Sequence, residues 1–419
     1  MVLLGILLST AALASAQHQP LVGAAARHGT NADVDASSRP TARAGINASY
    51  SNPILAGNWP DPGALRVNGS YFVATTGGGF AIHRSDDSLA SWALAGSVFD
   101  PEGGGGGAPT WASGDFWAPE IHQMVGGGYC VYFTARDKAG LLSIGVAIGP
   151  TPLGPFTDSG QPLARDDEGH GMYLDAHYFH DAATATAYLV WKHGSVTPPA
   201  ETRTWLYMQP LDPSGTKLVG QRQIVLRNNL SSWEKGVVEA PWIVKPSAGS
   251  PFYYLFYSAA HCCDGSGSYA VGVARATSIT GPFTKYEHNP ILHSNADPEG
   301  GFDGTGHCSV LPSPTDPNQW IIFYHAYVRP ATNGARALMM DTLAFDAPGG
   351  WPRLATGTAA PSTGPMPLPP TASAAALLRR RSAEGKMQPE RQPFLHAAGG
   401  AGERGREANG QLAQGNASK

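Results

Sequence analysis

Charged side chains are scarce in this sequence of 419 residues, where Asp, Glu, Lys and Arg make up 14% against about 25% in an average soluble domain. The 28 basic residues are outnumbered by 32 acidic ones, so the net charge is −4. A nucleic-acid-binding protein normally carries a basic patch that neutralises phosphates. The composition offers no such patch, and we expect no nucleic-acid partner.

Cysteine is also rare, with four residues at positions 130, 262, 263 and 308 and no CxxC pair. This number excludes a small disulfide-rich scaffold, and the spacing gives no indication of a zinc site. The adjacent Cys262 and Cys263 either form a disulfide with each other or pair elsewhere. Cys130 lies in an apolar run and is predicted to be a buried thiol.

Long apolar runs are missing after residue 16, since none approaches the ~18 residues that span a bilayer. We therefore expect no membrane association. Residues 1–16 form an apolar leader that ends in a small-x-small tripeptide before Gln17, which is typical of a signal peptide; the alternative is an N-terminal core segment. Secretion also agrees with four Asn-x-Ser sequons, which lie at Asn47, Asn68, Asn229 and Asn416.

Aromatic residues concentrate between positions 50 and 360, in short apolar runs such as GYCVYFTA and FYYLFYSA. Such runs, separated by turns in a chain with 52 Gly and 35 Pro, are typical of β-strands. Residues 17–49 and 361–419 have few aromatics and no sustained period. We predict one β domain over 50–360 between two disordered segments.

Five strand-like segments carry one acid or His each, and their spacings are 59, 55, 64 and 68 residues. They are centred on Asp61, Glu120, Asp175, Glu239 and His307. A unit of ~62 residues with several short strands suits a four-stranded propeller blade. The sequence therefore predicts an all-β, five-bladed β-propeller whose inner strands bring these polar residues to one central channel.

These segments resemble glycoside hydrolase family 43, which includes arabinanases, α-L-arabinofuranosidases and β-xylosidases on five-bladed propellers. The motifs occur in the family's order and cover residues 51–354. They are NPIL with WPDPG (52–63), FWAPE (116–120), LDAHYF (174–179), VEAPWI (238–243) and GTGH with FYHAY (304–327).

The resemblance implies that Asp61 is the general base, that Glu239 is the general acid, and that Asp175 raises the pKa of Glu239 and orients it. Hydrolysis with inversion needs such a pair of carboxyl groups on opposite faces of the sugar. A negative neighbour keeps the acid protonated near neutral pH. Without the other motifs, Asp61 in Trp-Pro-Asp-Pro-Gly could equally be a turn residue.

The sequence departs from the family pattern at Ala176, Ala240 and Cys308. In arabinanase-like relatives the residue matching His307 faces a hydrated ion, commonly calcium, so the resemblance implies a channel Ca²⁺ contacted through water. The alternative is a channel His that is hydrogen-bonded to water without an ion. The ion would be the one cofactor expected.

Trp117 and Arg336 are implied to bind substrate, Trp117 as a wall of the pocket and Arg336 by reaching toward the sugar and the third carboxylate. The alternative for Arg336 is a surface loop position. Trp59 and Trp111 are more simply explained by packing in the propeller.

We therefore expect a secreted, monomeric glycosidase that cleaves arabinofuranosyl linkages of plant cell-wall polysaccharide. The absence of an aromatic-rich segment after residue 360 favours this specificity over a β-xylosidase, which is the first alternative. A non-catalytic carbohydrate-binding propeller is the second. A retaining fructan hydrolase fits less well, because the first motif reads Trp-Pro-Asp-Pro-Gly.

Overall fold

A computed structural model describes residues 49–369, apart from short gaps at 87–88, 101–105, 167–170, 196–203, 264–266, 296–299, 317, 331–333 and 346–348. The predicted signal peptide at 1–16 lies outside the described residues. So do residues 17–48 of the predicted N-terminal segment and residues 370–419 of the predicted tail.

Five antiparallel sheets of four strands make up the described part, and each sheet uses one continuous stretch of chain. This confirms the predicted five-bladed propeller. The strands are, in chain order, β1 Ser49–Tyr50; β2 Gly63–Val67, β3 Ser70–Ala74, β4 Ala81–Asp86, β5 Ala93–Ser97 (blade 1); β6 Ala112–Gln123, β7 Tyr129–Asp137, β8 Leu142–Gly149, β9 Thr157–Asp158 (blade 2); β10 Gly171–Asp181, β11 Thr186–Ser195, β12 Thr204–Pro210, β13 Gln223–Arg227 (blade 3); β14 Val238–Val244, β15 Tyr253–Ala259, β16 Ala270–Ala276, β17 Thr284–Lys285 (blade 4); β18 Phe302–Pro312, β19 Gln319–Val328, β20 Arg336–Phe345, β21 Pro352–Leu354 (blade 5); and β22 Met366–Pro367. Among these residues no helix is long and apolar enough to cross a membrane.

The hydrophobic core consists of five clusters, one at each interface between neighbouring blades. Successive side chains of a strand point to opposite faces of the sheet, so a blade between two neighbours must be apolar on both faces. In β15, Tyr254 and Phe256 pack toward blade 5, whereas Tyr253, Leu255 and Tyr257 pack toward blade 3. This two-sided burial explains why the strands read as continuous apolar runs.

The ring is closed by the residues that flank the propeller in sequence. β1 pairs with β22. The side-chain amide of Asn52 donates to Met340 O and accepts from the backbone N–H of Met340, both at 2.9 Å. The buried carboxylate of Asp341 accepts bonds from Tyr324 Oη at 2.6 Å and from the backbone N–H of Ser362 at 3.3 Å. Residues 361–369 therefore belong to the folded domain, and the boundary predicted at residue 360 is wrong by about nine residues.

The four cysteines are also assigned. Cys262 and Cys263 form a disulfide with each other, which selects one of the two pairings left open by the sequence. Cys130 and Cys308 are buried free thiols, so the prediction for Cys130 is confirmed.

A chain ending at Ala360 should be less stable than one ending at Pro369, because it loses β22 and the Ser362 bond to the buried Asp341. A buried carboxylate that loses a partner costs about 1–3 kcal/mol. In a domain of this size, with an unfolding entropy of about 2.1 cal/mol/K per residue, that corresponds to a melting temperature lower by about 1.5–4.5 °C. Differential scanning calorimetry of the two chains measures the difference. Equal melting temperatures would mean that residues 361–369 do not stabilise the ring.

Candidate active site

Each blade carries one residue with left-handed backbone at the same level of the channel. These left-handed residues have φ between 47° and 57° and are Asp61, Ala118, Asp175, Ala240 and His307. Such values are uncommon outside glycine. In β6, β10, β14 and β18 they coincide with a shift of register against the second strand of the blade, as expected at a β-bulge. The bulge turns the inner strand at this level.

The backbone N–H of a left-handed residue cannot bond within its own bulged blade, and it donates instead to a side chain of the preceding blade. Ala118 donates to Thr76 at 2.8 Å, Asp175 to Thr134 at 3.1 Å, His307 to Ser258 at 2.8 Å and Asp61 to His325 Nδ1 at 3.1 Å. We call these acceptors, together with Lys192 in the matching place of β11, the ring positions. They hold the five inner strands together around the channel.

Blade 4 breaks this pattern, and the break lies between two of the predicted site residues. The residue at the ring position of blade 3 is Lys192, whose ammonium group can only donate hydrogen bonds. The N–H of Ala240 donates instead to Asp175 Oδ2 at 3.1 Å. The bond brings the Asp175 carboxylate beside Glu239, the residue that precedes Ala240.

Asp61 lies in a strongly basic environment despite being buried. Its Oδ1 is 3.0 Å from Arg336 Nη1 and 3.4 Å from His307 Nδ1, and its Oδ2 accepts a bond from Thr76 at 2.6 Å. Burial alone would favour the protonated acid, but the charges of Arg336 and His307 outweigh it and hold the pKa of Asp61 well below its usual range. Asp61 is therefore an ionised carboxylate, as a general base must be.

Asp175 and Glu239 have opposite pKa shifts. Burial and the nearby Glu239 carboxylate raise the pKa of Asp175 to about 6. Glu239 is equally buried, but Lys192 Nζ lies 2.6 Å from its Oε2 and lowers its pKa. The resemblance implied a raised pKa for Glu239; in the structure it is Asp175 that keeps its proton more readily, because the lysine contacts Glu239.

A second buried cluster consists of Glu120 and two histidines, where Glu120 Oε2 is 2.8 Å from both His122 Nε2 and His177 Nδ1. The three side chains are close enough together to suggest a metal site. However, the backbone N–H of Ile243 donates to His177 Nε2 at 2.9 Å. The neutral ring must then carry its proton on Nδ1 and donate it to Glu120, so no ring nitrogen of His177 is free for a metal.

His307 stands among the channel carboxylates, with Nδ1 3.4 Å from Asp61 Oδ1. A positive charge on its ring would oppose the burial that raises the pKa of Glu120 and Asp175. Calcium prefers oxygen ligands. The carboxylates of Asp61, Glu120, Asp175 and Glu239 already bond protein donors. These residues fit an ion held through its water shell better than one held by direct ligation.

The remaining predicted residues fall into two groups. Arg336 reaches the channel as expected, but among the described residues its carboxylate partner is Asp61 and not Asp175. Trp117 is half-buried beside Ala118. Trp111 stacks on Phe133 within blade 2 and Trp59 donates to Ala56 O at 2.8 Å, which supports packing roles for both.

Lys192 was not predicted as a site residue from the sequence. Its position in the repeat could have identified it, because it is the one lysine among the ring positions.

The fold and this acid-rich channel together define a class, the glycosidases on five-bladed propellers. A family model described as Glycosyl hydrolases family 43 matches residues 50–352, and the chain belongs to that family. It is a glycoside hydrolase.

Relatives with several specificities share this family membership. The chain is 26% identical to the beta-D-galactofuranosidase xynD of Aspergillus niger, over 72% of this chain and 84% of that protein. It is 28% identical to a probable arabinan endo-1,5-alpha-L-arabinosidase A of Aspergillus fumigatus, over 68% and 88%. A crystal structure of a thermostable family-43 glycoside hydrolase aligns with a TM-score of 0.66 and 29% identity, over 76% of this chain and 99% of that one. Two relatives named as xylosidases match at 26% identity, and the chain spans 48% of each.

Substitution of a ring position should weaken the propeller without removing a charge. Thr134→Val leaves the buried N–H of Asp175 without its acceptor, which costs about 1–3 kcal/mol. Thr157→Val, at an exposed position of β9, is the matched control and should change stability by less than about 0.5 kcal/mol. Urea unfolding gives both values. Equal stability of the two variants would show that the bond between blades contributes nothing.

Proposed function

We propose that this protein hydrolyses arabinofuranosyl linkages of plant cell-wall polysaccharide with inversion, with Asp61 as general base and Glu239 as general acid. The observation that carries the proposal is the contrast between the buried carboxyl groups. Arg336 helps to hold the pKa of Asp61 well below its usual range, while burial and the neighbouring Glu239 carboxylate raise the pKa of Asp175 to about 6. One channel thus contains both a base and a source of protons.

The base side of the reaction follows from the contacts of Asp61. Thr76 and Arg336 fix both carboxylate oxygens, so the group has little freedom to turn away from an incoming water. Asp61 removes a proton from that water as the water oxygen bonds to the anomeric carbon. Because the basic neighbours lower the pKa of Asp61, it stays ionised in mildly acidic solution.

The acid side depends on the pair formed by Asp175 and Glu239. When the two carboxyl groups share a single proton, that proton can reside on Glu239 once a glycosidic oxygen lies beside it. Glu239 donates it to the leaving oxygen as the bond to the anomeric carbon breaks. The released alcohol and the newly formed hemiacetal balance the water consumed.

Furanosides are supported as substrates by two relatives of high coverage, since the name of one is a galactofuranosidase and that of the other an arabinan arabinosidase. The half-buried Trp117 beside Ala118 is available as a flat wall for a sugar ring. The main role of Arg336 is proposed to be its ion pair with Asp61. Any contact of its guanidinium group with the sugar is made while that ion pair is intact.

The proposal extends to the setting of the enzyme. The apolar leader at 1–16 and the four sequons support a secreted, glycosylated protein. A hydrated Ca²⁺ beside His307 would add positive charge to the channel and strengthen the ionised state of the surrounding carboxylates.

Asp61→Asn and Glu239→Gln should each lower kcat on an arabino-oligosaccharide by about 100- to 10,000-fold. Both replacements keep the size of the side chain, so the fold should persist. Turnover of a nitrophenyl arabinofuranoside should fall much less for Glu239→Gln than for Asp61→Asn, because its leaving group needs little acid assistance. A Glu239→Gln variant that keeps a tenth of wild-type turnover on the oligosaccharide is incompatible with the acid role.

Asp175→Asn should move the alkaline limb of the pH–rate profile downward. Removal of a negative neighbour makes ionisation of Glu239 easier, so the pKa of Glu239 falls and less protonated acid remains at a given pH. The profile of kcat/KM against pH on the oligosaccharide measures the shift. An unmoved limb together with a large rise in KM would assign Asp175 to substrate binding instead.

A further inference from the structure

Lys192 is the exception among the ring positions. The other four are Thr, Thr, Ser and His, and each accepts the N–H of the left-handed residue in the next blade. A lysine cannot accept this bond. Its presence leaves the N–H of Ala240 without the usual partner, and that N–H takes Asp175 Oδ2.

The ammonium group of Lys192 has a second effect. It lies 2.6 Å from Glu239 Oε2, and the two side chains are only 9% and 10% exposed. A lysine in this surrounding is costly to bury unless it is paired. The pairing fixes one oxygen of Glu239.

We propose that Lys192 is a positioning residue for the acid, which holds the Glu239 carboxyl group in place and sets the pH above which the enzyme loses its proton donor. The inference rests on the proposed function, because it assumes that Glu239 is the acid. The lysine that replaces a hydrogen-bond acceptor in blade 3 thus contacts the acid of the next blade, blade 4.

The titratable groups that face Glu239 come from three strands and from the residue that precedes a fourth. Lys192 is on β11, Asp175 on β10 and His307 on β18, and the Tyr269 hydroxyl, just before β16, hydrogen-bonds to it. Of these groups, Lys192 and His307 favour the ionised acid through their charge, and Asp175 opposes it. Lys192 is the one in direct ion-pair contact, so its removal should have the largest effect.

Lys192→Thr installs the residue that blades 1 and 2 use at the same place, so the fold already accommodates it. Without the positive charge, ionisation of Glu239 becomes harder and its pKa rises. The alkaline limb of kcat/KM on an arabino-oligosaccharide should therefore move up by about one to three pH units. The acidic limb should stay, because the groups that set the pKa of Asp61 do not include Lys192.

The kinetic constants give a second readout. With Glu239 no longer held, kcat on the oligosaccharide should fall tenfold or more, whereas KM and the turnover of a nitrophenyl arabinofuranoside should change less than about threefold. Lys192→Arg, which keeps the charge, should restore the position of the alkaline limb. Lys192→Gln, which keeps length and a donor but no charge, should show the same shift as Lys192→Thr and serves if the threonine variant does not fold.

Lys285→Thr is the matched control, because Lys285 Nζ also lies 2.6 Å from a buried glutamate, Glu234, but outside the channel. It should leave both limbs in place. An alkaline limb that does not move in folded Lys192→Thr or Lys192→Gln overturns the role of Lys192. Retention of oligosaccharide turnover by Glu239→Gln would overturn the proposed function itself, so the two failures are distinguishable.

Discussion

The structure depends on the hydrogen bonds that cross from one blade to the next at the level of the left-handed residues. Each bulged inner strand presents a backbone N–H that has no partner in its own sheet, and a buried N–H without an acceptor is costly. The preceding blade supplies that acceptor from its second strand or, in blade 1, from Thr76 just after that strand. Register between blades is thereby fixed where the channel side chains project, whereas apolar packing alone would leave it less sharply defined.

The same geometry explains how several carboxylates can be buried together. A left-handed residue turns the inner strand, and three of the five such residues are Asp61, Asp175 and His307, whose side chains enter the channel. Buried charges are tolerated only when they are paired. Asp61 has Arg336 and Glu239 has Lys192, and these basic groups lower the pKa of both carboxyl groups, while Asp175 accepts the backbone N–H of Ala240 and has a raised pKa.

One deviation from the repeated pattern distinguishes the junction of blades 3 and 4 from the other four junctions. Blades 1, 2, 4 and 5 use an acceptor at the ring position, so the left-handed residues of the blades that follow them, 2, 3, 5 and 1, are held in the common way. Blade 3 uses a lysine, and the resulting rearrangement joins Asp175 to Ala240 and Lys192 to Glu239. A symmetric scaffold becomes asymmetric at the point where proton transfer is proposed.

Much of the architecture could be predicted from the sequence because it follows from short-range patterns. Spacing of the five motifs gave the number of blades, and strands apolar on both faces indicated that each blade is covered on two sides. The carboxylates Asp61, Asp175 and Glu239 were identified from motifs that lie on inner strands. The C-terminal boundary was not, because residues 361–369 are held by pairing with β1, more than 300 residues away in the chain.

The sequence by itself determined which residue types reach the channel, since alternation along a strand and the blade period are properties of the local chain. Only the tertiary structure decided which basic group each carboxylate meets. Arg336 is 275 residues from Asp61, and Lys192 is 47 residues from Glu239. Such pairs depend on the closure of the ring and on the side of the strand to which each long side chain turns, and no local pattern specifies either.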